Sequence, residues 1–552
     1  MKKKNFFLDE AVHTPRYDEE GFSIYTDYGR HGPSQDLPRD LVEKTIRDLR
    51  LGRLYDDAFD GPKNAVGEWG YSFLNLDNFA SSFDVYLQGG GWRRNTPTDD
   101  RDALAIIRRW LFTQFAAAPH SLEEGSAGMG SFNGHSHWQH YAGEWGFDYI
   151  GAEIGENVAS HQAHLAFSRG AGKQYGKFSI LYFSDWYQST TGSWEETNTW
   201  EGFGFPDGGH SMSLLKRTYM MSYMGSVSKF VFEAGACLGF LGPNHRTEDG
   251  LLALSPYGEA MRELCDFTHR HPDVGLCYVP IGIVLDYYHG IAGYSLQDGA
   301  SLKCHGKAFG YFDETPGDKM TWDLFALYYP GGGLLGGYMA PGMPMEETYQ
   351  VNTPYGDTCD VLLQNADQRV LNSYPVLLLS GDITLSAEEA ARYVAYVRQG
   401  GTLLCNTAYL KYFDKYAAAY QGGTRQDIPD GEGTVIVYGP DYSVENLGDI
   451  LQEQLRKYIP FTFSEDVEYL MNVKDGSLIV TVINNKGVTK ERLGDPVVDE
   501  TAAIDLTVTY TGETAVKAVR ELYYNQPVNA DGNTVRITVG PGDYRVLEFV
   551  FD

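Results

Sequence analysis

Between residues 20 and 340 the chain alternates short apolar runs, polar or glycine-rich loops and amphipathic stretches. The run "GFSIYTDYG" opens the series as a strand, and "DLVEKTIRDLR" follows it with helical spacing of its apolar positions. "RDALAIIRRWLFTQF" is a second helix, "FDYIGAEIGEN" a strand, "ASHQAHLAFSRGAGKQYG" a helix and "KFSILYFSDWY" a strand. "SMSLLKRTYMMSYMG" then runs as a helix directly into the strand "KFVFEAG". "SPYGEAMRELCDFTHRH" is a helix with Ser255 as N-cap and Pro256 at its first turn, and it leads to the strand "PIGIVLDYYHG". Repeated strand-then-helix units over this length predict an N-terminal (β/α)8 TIM barrel, residues 1–345.

The segment "GGGLLGGYMAPGMPMEETYQVNT" reads as a boundary. Beyond it "CDVLL", "PVLLLSGD", "GTLLCN" and "GTVIVYG" are short buried strands. The helix "SAEEAARYVAYVRQGG" lies among them, with Ser386 and Glu389 as a capping box. This predicts a small parallel α/β domain over 346–455. From 456 to 552 strands follow one another without helices, with Asp475-Gly476 as a hairpin turn, and predict a small antiparallel β-sandwich. The whole is an α/β chain of three parts.

Charge and composition narrow the partners. A formal net charge of −30 argues against nucleic acid and anionic membranes, which need clustered Lys and Arg. No run reaches the length of a membrane span, and "FFL" is too short for the apolar core of a signal peptide. Six cysteines (Cys237, Cys265, Cys277, Cys304, Cys359, Cys405) lie in apolar segments without CxxC spacing, as reduced core thiols do, so a cytoplasmic protein is expected. Aromatic residues make up 14% of the chain, more than a core needs, and fit either a sugar-binding cleft or an aromatic-rich core and surface. No nucleotide-binding glycine loop or GxSxG nucleophile elbow is present, and no cofactor is expected.

In a barrel, reacting side chains sit at the C-terminal ends of strands. Four of the strands carry polar groups there: Glu153 and Glu156 in "GAEIGEN", Asp185-Trp186 in "YFSDWY", Glu233 in "FVFEAG" and Asp286 in "IVLDYYHG". Two glutamates at such ends suit cleavage of a glycosidic bond, one protonating the leaving oxygen and the other attacking the anomeric carbon or activating water. Glu233 is the expected nucleophile, with a strand-end carboxylate held in a salt bridge as the alternative. The acid/base is Glu153 or Glu156, which point to opposite faces of a regular strand unless it ends or bulges at Gly155. Trp186, Tyr187, Trp200, His210 and the carboxylates Asp185 and Asp286 are the candidate substrate contacts, and the loop "WEETNTWEGFGFPDGGHS" is long enough for a cleft wall. His210 equally suits a helix start at Ser211.

A second constellation, His135, His137 and His140 in "HSHWQH" with His161 and His164 downstream, has the residue types for Zn²⁺ or Fe²⁺. Without a carboxylate or thiolate fixed by spacing, structural histidines on helices are the simpler reading, and no metal is expected.

The order of parts resembles the family 42 β-galactosidases and similar clan A glycoside hydrolases. The resemblance implies that the middle domain is flavodoxin-like or glutamine-amidotransferase-like and mediates a homotrimer. It places the nucleophile at the end of barrel strand seven, where "KFVFEAG" falls. Clan A enzymes carry Asn-Glu at the end of strand four, whereas here Glu156 precedes Asn157. The expected activity is that of a retaining, exo-acting glycoside hydrolase on β-linked glycosides or short oligosaccharides, β-galactosides first. The alternatives are a non-catalytic carbohydrate-binding barrel and a metal-dependent hydrolase using the three histidines.

Overall fold

A computed structural model describes residues 211–232, 239–241, 244–288, 315–330, 350–439, 444–490 and 495–551, and of the first part 17–18, 21–22, 24–27, 39–49, 53–55, 101, 104–105, 130–131, 138–145, 149–155 and 161–184. Six parallel strands form the first sheet: Ile24–Asp27 (β1), Arg53–Tyr55 (β2), Gly130–Ser131 (β3), Tyr149–Gly155 (β4), Phe178–Ser184 (β5) and Lys229–Phe232 (β6). Their order is β2-β1-β6-β5-β4-β3. The pairing of β6 with β1 brings the last of these strands beside the first, as a winding sheet does. Among the described residues β2 and β3 are not joined, so the sheet is open where a closed eight-stranded barrel was expected.

The helices of this part are Arg39–Leu49 (α1), Trp138–Glu144 (α2), His161–Tyr175 (α3), Met212–Met224 (α4) and Pro256–Arg270 (α5). Ser211 and Ser255 cap α4 and α5 by accepting from the backbone N–H of Leu214 and Gly258, each at 3.1 Å. Ser211 is thus the N-cap of α4.

The second sheet contains Ile281–Leu285 (β7), Cys359–Leu363 (β8), Val376–Leu379 (β9), Thr402–Asn406 (β10), Arg425–Asp430 (β11) and Gly433–Tyr438 (β12). Its order is β8-β7-β9-β10-β12-β11, parallel except for the antiparallel edge strand β11. The first five strands follow the 2-1-3-4-5 order of flavodoxin-like sheets. Helices Pro316–Tyr328 (α6) and Ala387–Arg398 (α7) accompany it, and α7 starts with the capping box of Ser386 and Glu389.

The strand β7 corrects the sequence reading. "PIGIVL" was expected to complete the barrel, but β7 pairs with β8 on one side and β9 on the other. All five of its residues are buried. A continuous apolar run suits any central parallel strand, so its pattern carries no information about which sheet receives it.

The C-terminal part has two larger antiparallel sheets that share one core, through residues such as Val480, Val508, Val535 and Phe549, and a two-stranded one that pairs Val488–Thr489 with Val497–Val498. Leu276–Cys277, from before β7, adds an edge strand to one of them by pairing with Asn472 and Val473.

What joins these parts is α3. The edge strand β8 turns the backbone groups of Cys359, Val361 and Leu363 away from β7, because those of Thr358 and Gln364 bond towards it. Three side chains take the place of a missing strand. Arg169 Nη2 donates to Cys359 O at 3.0 Å, His140 Nε2 lies 2.9 Å from Val361 O, and Gln174 Oε1 accepts from Leu363 N–H at 2.8 Å. Gly170 makes that approach possible, since a Cβ there would lie 1.7 Å from Val361 O. In an exposed helix Gly→Ala gains about 1 kcal/mol. Here the sign reverses, because the clash is with backbone that cannot swing aside. Gly170→Ala is predicted to cost roughly 1–3 kcal/mol, read as a lower urea midpoint; an unchanged or higher midpoint would mean that α3 does not press on β8.

Candidate functional site

Because the first sheet is parallel, the C-terminal ends of its strands lie along one edge. The register is continuous. Glu153 of β4 stands level with Tyr182 of β5, Tyr182 with Val231 of β6, and Val231 with Tyr25 of β1. The pairing of β4 with β5 is unbroken to Gly155↔Ser184, so Gly155 ends the strand without a bulge. Only β5 separates the strand of Glu153 from the strand that ends at Phe232. Neighbouring strands lie about 4.8 Å apart, which puts the backbones of β4 and β6 about 10 Å from one another.

Glu153 is thus placed on β4 by its backbone. Glu156 and Glu233 lie outside the described residues, as do Asp185, Trp186, Tyr187, Trp200 and His210. In the sequence Glu156, Asp185 and Glu233 each come directly after the last residue of β4, β5 and β6. Asp27 is the last residue of β1, the strand beside β6. Its sequence signal, a carboxylate closing "IYTD" before Tyr-Gly, is the same one that marks Glu233.

Asp286 is elsewhere. It follows β7 in the second sheet, buried, and its Oδ1 accepts from Tyr288 N–H at 3.2 Å. The next residue, Tyr287, donates its hydroxyl to Glu144 and accepts at its carbonyl from the Tyr141 hydroxyl. Glu144 ends the helix that leads into β4, so this cluster borders the N-terminal end of β4, away from the end that carries Glu153. The misplacement has the same origin as that of β7.

The histidines divide. His135 and His137 lie outside the described residues. His140 is fully buried on α2, edge-on to the rings of Phe167 and Tyr175, with Nε2 on the Val361 carbonyl. His161 Nδ1 lies 2.9 Å from Thr218 Oγ1 and 3.3 Å from Gln350 Nε2, which ties α3 to α4. Among the described residues no group of three or more His, Cys, Asp or Glu is arranged to hold a metal. Cys265, Cys277, Cys359 and Cys405 are buried free thiols. No described helix is long and apolar enough to cross a membrane.

No protein-family model matches this chain, and no curated protein matches it in sequence. Its similarities are to solved structures. One is alpha-L-fucosidase isoenzyme 2 from Paenibacillus thiaminolyticus, with 10% identity over 97% of this chain and 94% of that one and a TM-score of 0.47. Gan42B, a GH42 beta-galactosidase from G. stearothermophilus, has 10% identity over 82% and 68%, with a TM-score of 0.46. A beta-galactosidase from Rahnella sp. R3 has 9% identity over 96% and 78%, with a TM-score of 0.45.

Burial holds the His140 imidazole at a pKa of about 3, against the rise its bond to Val361 O produces. The native ring is therefore neutral where the unfolded one, near 6.5, takes up a proton. The stability it contributes is complete above pH 6.5 and is lost as pH falls towards 3. His140→Gln, which keeps a donor for Val361 O but does not titrate, is predicted to flatten acid unfolding by about one proton. The check is the slope of stability against pH from 7 to 4 in both chains; equal slopes would contradict a neutral buried His140.

Proposed function

We propose that the protein is a glycoside hydrolase whose site lies at the C-terminal edge of the first sheet. The observation that carries this reading is the placing of β4 and β6, parallel and one strand apart, with a glutamate on β4 and glutamates directly after each strand in the sequence. Backbones about 10 Å apart suit glutamates reaching across β5. Carboxyl groups about 5–5.5 Å apart retain the anomeric configuration through a covalent intermediate, and groups about 6.5–9.5 Å apart leave room for water and invert it.

In this proposal Glu233 is the nucleophile and Glu156 or Glu153 the acid/base, the mechanism retaining and the attack exo on a β-linked sugar. The acid would be kept protonated by an apolar wall and the nucleophile ionised by neighbouring donors. Asp185, Trp186, Tyr187, Trp200 and His210 would bind the sugar, the two tryptophans by stacking. A homotrimer, a cytoplasmic setting and a division near 455 belong to the same proposal, whereas the boundary expected at 345 gives way to one before β7, because β7 and α6 precede 345 and belong with the second sheet. The metal-dependent alternative loses support because the His140 Nε2 is engaged at the second sheet.

The test is a panel of nitrophenyl β- and α-glycosides given to the wild type, Glu233→Ala, Glu156→Ala and Glu153→Ala. The proposal expects one β-glycoside to be cleaved and Glu233→Ala to lower kcat by several orders of magnitude. Azide should restore turnover to Glu233→Ala with inverted product. A wild type that cleaves a glycoside while Glu233→Ala keeps most of that activity would sink the assignment of Glu233. A wild type that binds sugars and cleaves none would favour the carbohydrate-binding barrel.

A further inference from the structure

The junction beneath α3 holds more acid than base. Arg169 grips Asp357 with both terminal nitrogens, at 2.6 and 2.7 Å, and reaches Asp360 through Nε at 2.8 Å. Lys173 Nζ lies 2.6 Å from the second oxygen of Asp360, which also accepts from the Tyr374 hydroxyl at 2.8 Å. Two cations thus meet two carboxylates, all buried. A third carboxyl group stands beside them. Glu468, the first residue of a C-terminal strand, has no solvent exposure, and neither of its carboxyl oxygens makes a hydrogen bond of normal geometry.

Among the described residues, several elements turn charged or polar groups to Glu468. These groups are Gln162 and Arg169 from α3, Asp357 from the segment before β8, Tyr329 at the end of α6, and Tyr469 on its own strand. Gln162 exchanges two hydrogen bonds with the backbone of Val351, which leaves one amide N–H turned to Glu468 and opposing the rise that burial produces. Arg169 is turned to Asp357 and Asp360. No cation is left over in this set for a third negative charge. An ionised carboxylate buried without a partner is costly by several kcal/mol, and a neutral acid is far less so.

We propose that Glu468 is a proton lock: neutral in the native fold, it allows the C-terminal sheets to seat on the α3 junction, and its ionisation in alkaline solution parts them. The contact it would loosen is specific. Asp357 N–H donates to Tyr469 O at 2.8 Å, one residue along from Glu468, while Asp357 holds Arg169. Charge on Glu468 would push against Asp357, the residue that joins α3 to the C-terminal strand.

Burial, with the Asp357 carboxylate adding to it, raises the Glu468 carboxyl well above its ordinary 4.5. The sign follows. Above pH 4.5 the unfolded chain releases a proton that the native chain keeps, so the lock's contribution is complete below 4.5 and falls as pH rises towards the native value. Each pH unit in that window lowers the folding constant about tenfold.

The experiment is urea unfolding of the full chain at steps from pH 6 to 9 for the wild type, Glu468→Gln and Glu468→Met. Both substitutions remove the titration, and the second also removes the need for a hydrogen-bonding partner. The proposal expects wild-type stability to fall with pH more steeply than that of either variant, by about tenfold in the folding constant per pH unit. It also expects Cys359, buried at the junction, to react with a thiol reagent at pH 9 in the wild type more quickly than in the folded variant. Equal slopes in the wild type and whichever variant folds would overturn it. So would variants that both fail to fold at pH 6, because the native state would then require the glutamate for something other than its proton.

Discussion

The closing of β8 by helical side chains is the constraint on which the rest of the structure depends. A parallel sheet with an open edge presents unpaired N–H and C=O groups, which a protein must cover or lose to the wrong partner. Here α3, the crossover between β4 and β5 of the first sheet, supplies the cover, with His140 of α2 at the middle rung. The helix that connects two strands of one sheet is thereby the missing neighbour of another. α3 follows β4 in the chain, so what holds α3 to β8 holds the helix that comes next after the strand carrying Glu153.

The charges of this junction serve geometry more than stability. Bringing Arg169, Lys173, Asp357 and Asp360 out of water costs several kcal/mol per ion, and their attraction recovers it only where the geometry is good. The fork of Arg169 meets that condition on two sides at once, which fixes the rotation of α3 about its axis and so the rung that each side chain meets. Burial alone would push the Asp360 carboxyl up, but Lys173 and Arg169 hold it below its ordinary range. An apolar helix face could bury as much surface without choosing a register.

Much of the fold was legible because local rules and tertiary placement agreed. The strands around "GAEIGEN", "KFSILYF" and "KFVF", the caps at Ser211, Ser255 and Ser386, and the turn at Asp475-Gly476 each follow from a short stretch of chain. What was not legible is the choice among sheets. "PIGIVL" is apolar throughout, and nothing within it distinguishes a barrel strand from the central strand of another sheet; Asp286 moved with it. The Arg169 junction was hidden for a related reason. Its partners lie nearly 190 residues away, and within "AFSRGAGKQ" an arginine beside a glycine reads as an ordinary helix position. Of the candidate site, the strand that bears Glu153 and the strand preceding Glu233 are parallel with one strand between them, but as the fourth and sixth strands of an open sheet rather than the fourth and seventh of a barrel; Asp27, at the end of β1, carries the same strand-end signal in the sequence.

The closing of β8 is tested most directly by the rate at which its amides exchange with deuterium. If α3 replaces a strand, Cys359–Leu363 should be protected to the same depth as the interior strand Val376–Leu379, and Arg169→Met should release it towards the rate of the exposed edge strand Arg425–Asp430. Exchange in Cys359–Leu363 as rapid as in Arg425–Asp430 in the unmodified protein would contradict the account, because the edge would then be open.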